Sequence, residues 1–489
     1  MSPNDLISVA PESLGIPSTA VEEFLSEITE KQLCMHSFVL LRHGKIAAEG
    51  YWPPFSETRK HRMYSISKSF ASIAIGMMID EGKLSLDSKV ADFFPEYLPD
   101  DPHPYVLEAT VRDLLMMSTF NRQNSYDRYT PNFVKSFITD SHEKHKPGQV
   151  FLYDTSGTDT LCAIVEKLSS MPMLEYMRPV LDQIGFSKDA YCIMTPEGGS
   201  WAGSGVMCTS RDLARFALLC MNGGKWDGNQ LLNHEYVSAA TSRQIDNSVT
   251  AGGIEFYHGY GYQFWCLRDG GFAMYGMGSQ YALCLPRHGT ILVVNSDTQG
   301  TGSAGEIILD LYFKLIGKIS DGPLPENTAA HARLKERISM LTLPRPVGKN
   351  ITPRACKITG RKYVLDENEA GIKWLKLTIE ADKCLLQYEK ESGVQEIIFG
   401  MNGYEPQLFP EKYHSLRVGI HDTHYQCIGA GAWVKDNTLL GTIYSVDDHL
   451  GSIKFQLTFI GDEICGYMNT STQWFFDGYQ GFLVGKSVE

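Results

Sequence analysis

The run Met63-Tyr64-Ser65-Ile66-Ser67-Lys68-Ser69-Phe70 holds a hydroxyl and an amine three residues apart. At the start of a helix, Ser65 and Lys68 would lie on one face, one turn from each other. A serine hydroxyl is a weak nucleophile at neutral pH and needs a base beside it. A lysine amine becomes that base when burial, which disfavours the charged form, lowers its pKa. The helix N-terminus adds unpaired backbone N–H groups able to stabilise an oxyanion. Together these groups would attack a carbonyl and form a covalent acyl intermediate. Ser67 adjoins Lys68 and points elsewhere, which leaves Ser65 as the nucleophile. The four residues alone are a weak signal and fit better a serine cap beside a solvated lysine.

The elements around the run decide what it can do. Residues 67–82 carry apolar side chains at helical spacing and stop at a glycine. Residues 36–41 and 45–51 flank Arg42-His43-Gly44 and read as a hairpin. Residues 111–117, 158–169, 174–184 and 210–222 read as helices, with Arg211 and Asp212 capping the last of them. Apolar runs of strand length follow at 260–267, 272–275, 281–286 and 290–296, and an amphipathic helix at 306–317. Strands at both ends with helices between them predict an α+β fold, one sheet with a helical insertion, and not a repeating βαβ pattern. Residues 319–352 are rich in Pro, Gly and charge around a short helix at 329–341, and read as a linker. Residues 357–486 alternate in short segments, such as 374–379 and 452–459, separated by turns at 366–368, 402–403 and 447–448. Such a pattern predicts a closed or sandwiched antiparallel β domain.

Composition narrows the classes of function. The chain has 489 residues, with 44 Lys+Arg against 57 Asp+Glu and a net charge of −13, which argues against nucleic acid as the main partner. A hydrophobic share of 43% and a charged share of 21% exclude a disordered chain. The longest apolar stretch, residues 70–79, is well short of the roughly 20 residues that a bilayer requires. The 11 cysteines are scattered without a Cys-x-x-Cys pair, and no apolar leader opens the sequence. These features predict a cytoplasmic protein with reduced thiols.

Several ordered motifs resemble the serine β-lactamase-like hydrolases, the family of class C β-lactamases, penicillin-binding carboxypeptidases, family VIII esterases and aminohexanoate-oligomer hydrolases. They are Ser65-Ile66-Ser67-Lys68-Ser69-Phe70, Asp80 to Asp87, Val111 to Thr119, Pro147-Gly148 before Phe151-Leu152-Tyr153, Thr209 to Phe216, and Gly276-Met277-Gly278-Ser279-Gln280-Tyr281. The resemblance spans residues 10–318. It implies a β-lactamase/transpeptidase-like catalytic domain, and the β segment resembles in pattern the lipocalin-like barrels attached to some members.

The resemblance also implies roles. Tyr153-Asp154-Thr155 takes the place of the family's Tyr-x-Asn or Tyr-x-Ser, so Tyr153 would share protons with Lys68, while Thr155 puts a hydroxyl where an amide is usual. Met274-Tyr275-Gly276 takes the place of Lys-Thr-Gly or His-x-Gly. No cation or small hydroxyl remains there to hold a substrate carboxylate, which predicts little nitrocefin hydrolysis. The N–H groups of Ser65 and Met277 would form the oxyanion hole. Thr155, Tyr275, Gly276 and Tyr262 are the expected substrate contacts. Tyr260, Phe264 and Trp265 form a candidate cleft lining that reads equally as core, as do Tyr126, Tyr129 and Trp201.

Other patterns compete. Gly300-Thr301-Gly302-Ser303-Ala304-Gly305 spells a dinucleotide fingerprint, but a Pro-rich segment follows where a second parallel strand is needed. Gly198-Gly199-Ser200-Trp201-Ala202 imitates a nucleophile elbow without the strand that should lead into it. The histidine pairs His142/His145 and His421/His424 lack zincin spacing. The sequence therefore predicts a catalytic domain over residues 1–318, a linker over 319–352 and a barrel-like domain over 353–489. The expected activity is a serine hydrolase of esters or short amides, without cofactor or metal, acting on a small molecule and not on nucleic acid or membrane. An acyltransferase on the same scaffold and a non-catalytic binding protein are the alternatives. The oligomeric state is not encoded in these patterns.

Overall fold

The computed structural model describes residues 6–127, 129–412, 423–472, 475–476 and 478–488. The chain divides into two compact units, one up to Thr342 and one from Leu343. Among the described residues no helix is long and apolar enough to cross a membrane.

The first unit is built on six antiparallel strands. β1 (Met35–Arg42) and β2 (Lys45–Tyr51) form the predicted hairpin. Its turn places His43 and Gly44 at φ 50° and 74°, the left-handed pair that matches the natural strand twist. β3 (Trp265–Cys266), β4 (Phe272–Gly276), β5 (Gln280–Leu285) and β6 (Thr290–Ser296) complete the sheet in the order β2-β1-β6-β5-β4-β3. Strands from residues 35–51 and 265–296 thus meet in one sheet, with Val39 opposite Val293, and the intervening helices form the insertion.

Both faces of the sheet are covered. Val39, Leu41, Met274, Ala282, Ile291 and Val293 join the main core. Helices α2 (Ser67–Asp80), α3 (Thr155–Ser169) and α4 (Ser210–Met221) add their buried faces to the same core. Phe70 of α2 stacks on Phe216 of α4 at 3.9 Å. On the other face Phe38 meets Phe24 of α1 (Ser18–Glu30), and Tyr312 of α5 (Ala304–Ile316) donates to Thr290 Oγ1 at 2.9 Å. α2 is buried from Ser67 to Gly76, polar residues included. It stops where Gly82 takes φ 71° and Lys83 N–H returns to the Met78 carbonyl.

Local chemistry moves several expected boundaries. α3 starts at Thr155, not 158, because Asp154 caps it by accepting the Ser156 N–H at 3.0 Å. The helix expected over 174–184 is broken into Met173–Tyr176, Arg178–Leu181 and Asp182–Ile184, with Pro179 unable to donate into a continuous ladder. The strand expected over 260–267 shrinks to Trp265–Cys266: Gln263 has φ 63°, and a Cβ on Gly261 would stand 2.0 Å from the Ala240 carbonyl. α4 is capped by Thr209 and Asp212 in a reciprocal box, whereas Arg211 pairs with Glu49 and Glu57 and takes no part in the cap.

Residues 319–342, read from sequence as the start of a linker, belong to the first unit. Asn327 caps α6 (Thr328–Ser339), which buries Ala330 and Leu334 and lies against α1. Ile338 and Leu341 approach Gly50 of β2.

The second unit is a β barrel, not wholly β as expected: a short helix, Pro353–Ile358, precedes the strands and adds Ala355 and Ile358 to their core. β7 (Lys362–Leu365), β8 (Trp374–Ile379), β9 (Lys383–Lys390), β10 (Gly393–Gly400), β11 (Glu405–Lys412), β12 (His424–Lys435), β13 (Thr438–Val446), β14 (Leu450–Ile460), β15 (Glu463–Thr472) and β16 (Gly481–Ser487) run antiparallel in a meander. A bridge between Gly400 and Ala430 joins β10 to β12, so nine strands close and β11 flanks them. Alternate side chains such as Leu375, Leu377, Leu386, Tyr388, Phe455 and Leu457 fill the interior. The interior leaves a cavity of about 20 Å³ with an apolar lining that includes Ile372, Leu386 and Met468.

Candidate active site

The chain reaches the Ser-x-x-Lys run through a small sheet in which His61–Arg62 pairs with Val206–Cys208. Met63 N–H donates to the Val206 carbonyl at 2.9 Å, and the chain then turns sharply at Tyr64, with φ 48°. A non-glycine residue in that region costs on the order of 1–3 kcal/mol and persists only where its surroundings hold it. Here the Tyr64 ring is buried, with the Arg62 guanidinium 4.3 Å from its centroid. The turn Tyr64–Ile66 presents Ser65 just ahead of α2. From His61 to Phe70, Ser65 alone is not buried.

Lys68 sits behind it. Its Nζ donates to Ser65 Oγ at 2.9 Å and to the Gly203 carbonyl at 2.6 Å, with the residue 1% exposed. Burial lowers the ammonium from its ordinary value to about 7; Asp159 and Asp154 oppose that shift, and Arg62 adds to it. Lys68 is therefore able to be a neutral amine at physiological pH, with its lone pair beside the Ser65 proton. Tyr153 closes the cluster. Its ring centroid is 5.1 Å from Lys68 Nζ and the residue is 38% exposed. Desolvation raises its phenol above the ordinary value, and the Ser65 hydroxyl, in hydrogen-bonding range, pulls it down.

The remaining sequence-predicted residues divide. Thr155 is the first residue of α3, and its Cγ2 would be 2.4 Å from a Cβ on Gly203, so it abuts the residue whose carbonyl holds Lys68. Gly276 ends β4 against the Tyr64–Ile66 turn: a Cβ there would meet the Met63 carbonyl at 2.4 Å and Ser65 N at 3.1 Å. Met277 follows directly, in the turn that carries Gly278 and Ser279 at φ 77° and 64°. Tyr275 is half-buried, stacked on Phe256 and Tyr281, with Trp265 bridging towards Tyr153. Tyr262 is not brought to this cluster. It is 2% exposed, accepts from Arg112 Nη1 at 3.1 Å and packs on Tyr236.

Other sequence candidates take supporting places. Tyr126 and Trp201 are buried and linked by a 3.0 Å hydrogen bond, whereas Tyr129 is exposed. In the elbow-like string Ser200 N–H donates to Glu166, and Trp201 lies 4.5 Å from the Arg62 guanidinium. The glycine-rich run 300–305 follows an antiparallel strand, not the parallel one that a dinucleotide fold needs. His142 pairs with Asp140 and His145 with the Asn121 carbonyl, while His424 engages the Phe409 carbonyl. His421 and Asp422 lie outside the described residues.

Sequence reasoning missed Arg62, Asp159 and Gly203. Gly203 sits in a Gly-x-Gly string, Gly203-Ser204-Gly205, whose tight packing was the available signal.

Comparison with known proteins bears on the family and the fold. The β-lactamase family model matches residues 35–313. A 6-aminohexanoate-dimer hydrolase of Paenarthrobacter ureafaciens is 26% identical over 287 residues, 54% of this chain and 72% of that protein. A Bacillus anthracis structure, named provisionally as an enzyme of that type, matches 64% of this chain and 82% of its own at 21% identity, with TM-score 0.50. EstCE1, a hydrolase with promiscuous acyltransferase activity, matches 62% of this chain and 99% of its own at 15% identity, also with TM-score 0.50. At those identities the two structures speak for the fold alone. This chain belongs to the β-lactamase family.

Proposed function

We propose that the protein is a serine hydrolase that cleaves esters or short amides through an acyl-enzyme on Ser65. The observation that carries this reading is the 2.9 Å contact between the one unburied hydroxyl of the motif and a buried lysine amine of lowered pKa. Ser65 gives its proton to neutral Lys68 as Oγ bonds to the substrate carbonyl carbon, and the carbonyl π pair moves to oxygen. The N–H groups of Ser65 and Met277 face that oxyanion. Collapse of the intermediate breaks the bond to the leaving group, which takes a proton from Lys68 by way of Tyr153. Water then repeats the sequence, with the same pair accepting and returning its proton. The similarity to an aminohexanoate-dimer hydrolase supports small linear amides among the substrates. The half-buried Tyr275, beside Trp265, supports an apolar arm in the substrate.

Mass spectrometry after treatment with a fluorophosphonate, with p-nitrophenyl ester turnover alongside, tests the reading. One adduct is expected, on Ser65, with turnover abolished in Ser65→Ala. Absence of the adduct together with full turnover by the variant would refute it.

A further inference from the structure

Lys68 and an acid that the mechanism above leaves unused grip the same glycine. The Gly203 carbonyl accepts from Lys68 Nζ at 2.6 Å, and the Gly203 N–H donates to Asp159 Oδ1 at 2.7 Å. The other oxygen of Asp159 accepts from the Tyr126 hydroxyl at 2.8 Å, and that hydroxyl accepts from Trp201 Nε1 at 3.0 Å. Asp159 is 3% exposed. Glycine is required between them, since a Cβ at position 203 would stand 2.9 and 3.0 Å from the two carboxylate oxygens. A buried carboxylate is costly unless donors and a cation compensate it. Here two donors reach it, and Lys68 is the cation that acts on it.

We propose that Asp159 is a positioning residue for Lys68: it fixes the Gly203 carbonyl against the amine and supplies the counter-charge against which Lys68 takes up the Ser65 proton. The proposal rests on the reading of Ser65 as nucleophile and Lys68 as base. When the proton moves, charge develops on a nitrogen shielded from water, where an ion at short range acts with little screening. Burial pushes the Asp159 carboxyl up; Gly203 N–H, Tyr126 and Lys68 hold it down, and Glu197 acts with burial. Around Lys68, Asp154 attracts and Arg62 repels, while Tyr153 contributes its ring face. The thiols of Cys162 and Cys192 also feel Asp159, and burial keeps both protonated. Asp159 and the amine hold the same residue, one at its N–H and the other at its carbonyl.

The sign follows directly. Lys68 must be neutral to act, so the acid limb of the rate reports its deprotonation. Wherever its carboxyl, raised by burial, is ionised, Asp159 favours the ammonium, so removing its charge makes Lys68 a weaker base. Asp159→Asn, close in shape, is expected to move that limb down by about one pH unit or more and to lower the plateau rate about tenfold. Tyr126→Phe removes one donor from the carboxylate and is expected to shift the limb the same way by less. The readout is the rate constant of Ser65 labelling by a fluorophosphonate between pH 5 and 9, measured on the full chain. A purely structural role would lower the amplitude and leave the limb in place. The proposal is overturned if the limb in Asp159→Asn stays put or moves up, or, should that variant not fold, if it stays put in Tyr126→Phe. If wild-type Ser65 is not labelled at all, the parent reading fails first, and the two failures are thereby told apart.

Discussion

Replacing Gly276 by alanine asks whether β4 forms one wall of the oxyanion site. The backbone of Gly276 presses on the turn that carries Ser65 so closely that an added Cβ would lie 2.4 Å from the Met63 carbonyl oxygen. Ordinary contact starts at 3.4 Å, so the strand and the turn must separate by 3.4 − 2.4 = 1.0 Å. Neither side yields readily, because Gly276 is registered against Gln280 and Met63 is hydrogen-bonded to Val206. A misplacement of about 1 Å costs on the order of a hundredfold in rate. Loss of one oxyanion donor costs roughly a hundred- to a thousandfold. Gly276→Ala should therefore reduce kcat on a p-nitrophenyl ester by two to three orders of magnitude. KM should change much less, because the lost contact is made mainly in the transition state. Thermal melting and the stoichiometry of Ser65 labelling would establish that the variant is folded and its hydroxyl accessible. A folded variant with kcat within a few-fold of wild type would refute the assignment of β4, and of Met277 with it.

Further outcomes can be checked beside this one. Tyr153→Phe should lower kcat by roughly a hundred- to ten-thousandfold with little change in melting temperature, and unchanged turnover would remove Tyr153 from the proton path. Nitrocefin should be hydrolysed slowly if at all, since Met274-Tyr275-Gly276 offers no cation to a carboxylate; efficient turnover would contradict that. Acid should destabilise the protein through a buried histidine pair. Burial favours the neutral form of both rings; with His61 Nδ1–H donating to the Arg62 carbonyl, its Nε2 then accepts from His36 at 2.8 Å. Burial lowers His61 to about 4, so its contribution is complete above pH 6.5 and fades as pH falls towards 4, at up to ~1.4 kcal/mol per pH unit. His61→Gln should then flatten the fall of melting temperature between pH 7 and 5, and parallel slopes for the two proteins would dismiss the idea. Phe216→Ala removes the ring stacked on Phe70 and should cost about 3–5 kcal/mol in denaturant unfolding.

What was legible in the sequence follows the range of the interactions. Ser65 and Lys68 are local, three residues apart, and the helix behind them announces itself through its apolar spacing and Gly82. The hairpin at residues 35–51 is equally local. Tyr153 and Gly276 came from ordered motifs, and the structure seats both against the same turn. Asp159 was invisible because its partners lie 44 residues away at Gly203 and 33 away at Tyr126. Nothing in a helical stretch Thr158-Asp159-Thr160 signals a buried carboxylate. Tyr262 misled because an aromatic run looked like one continuous strand. Gly261, wedged against Ala240, and Gln263, in the left-handed region, turn that side chain away towards Arg112.

The helix that carries Lys68 has almost no wet side. Its serines are spent on anchoring: Ser67 accepts from Val206 N–H, Ser69 donates to the Gln263 carbonyl and Ser72 meets Tyr236. Sliding or rotating α2 by a single residue would strand three hydroxyls in apolar surroundings. Diversification within such a scaffold is thereby channelled outward. New substrate preferences would be reached most cheaply at the half-buried Tyr275, whose ring takes no part in the contacts that pin α2.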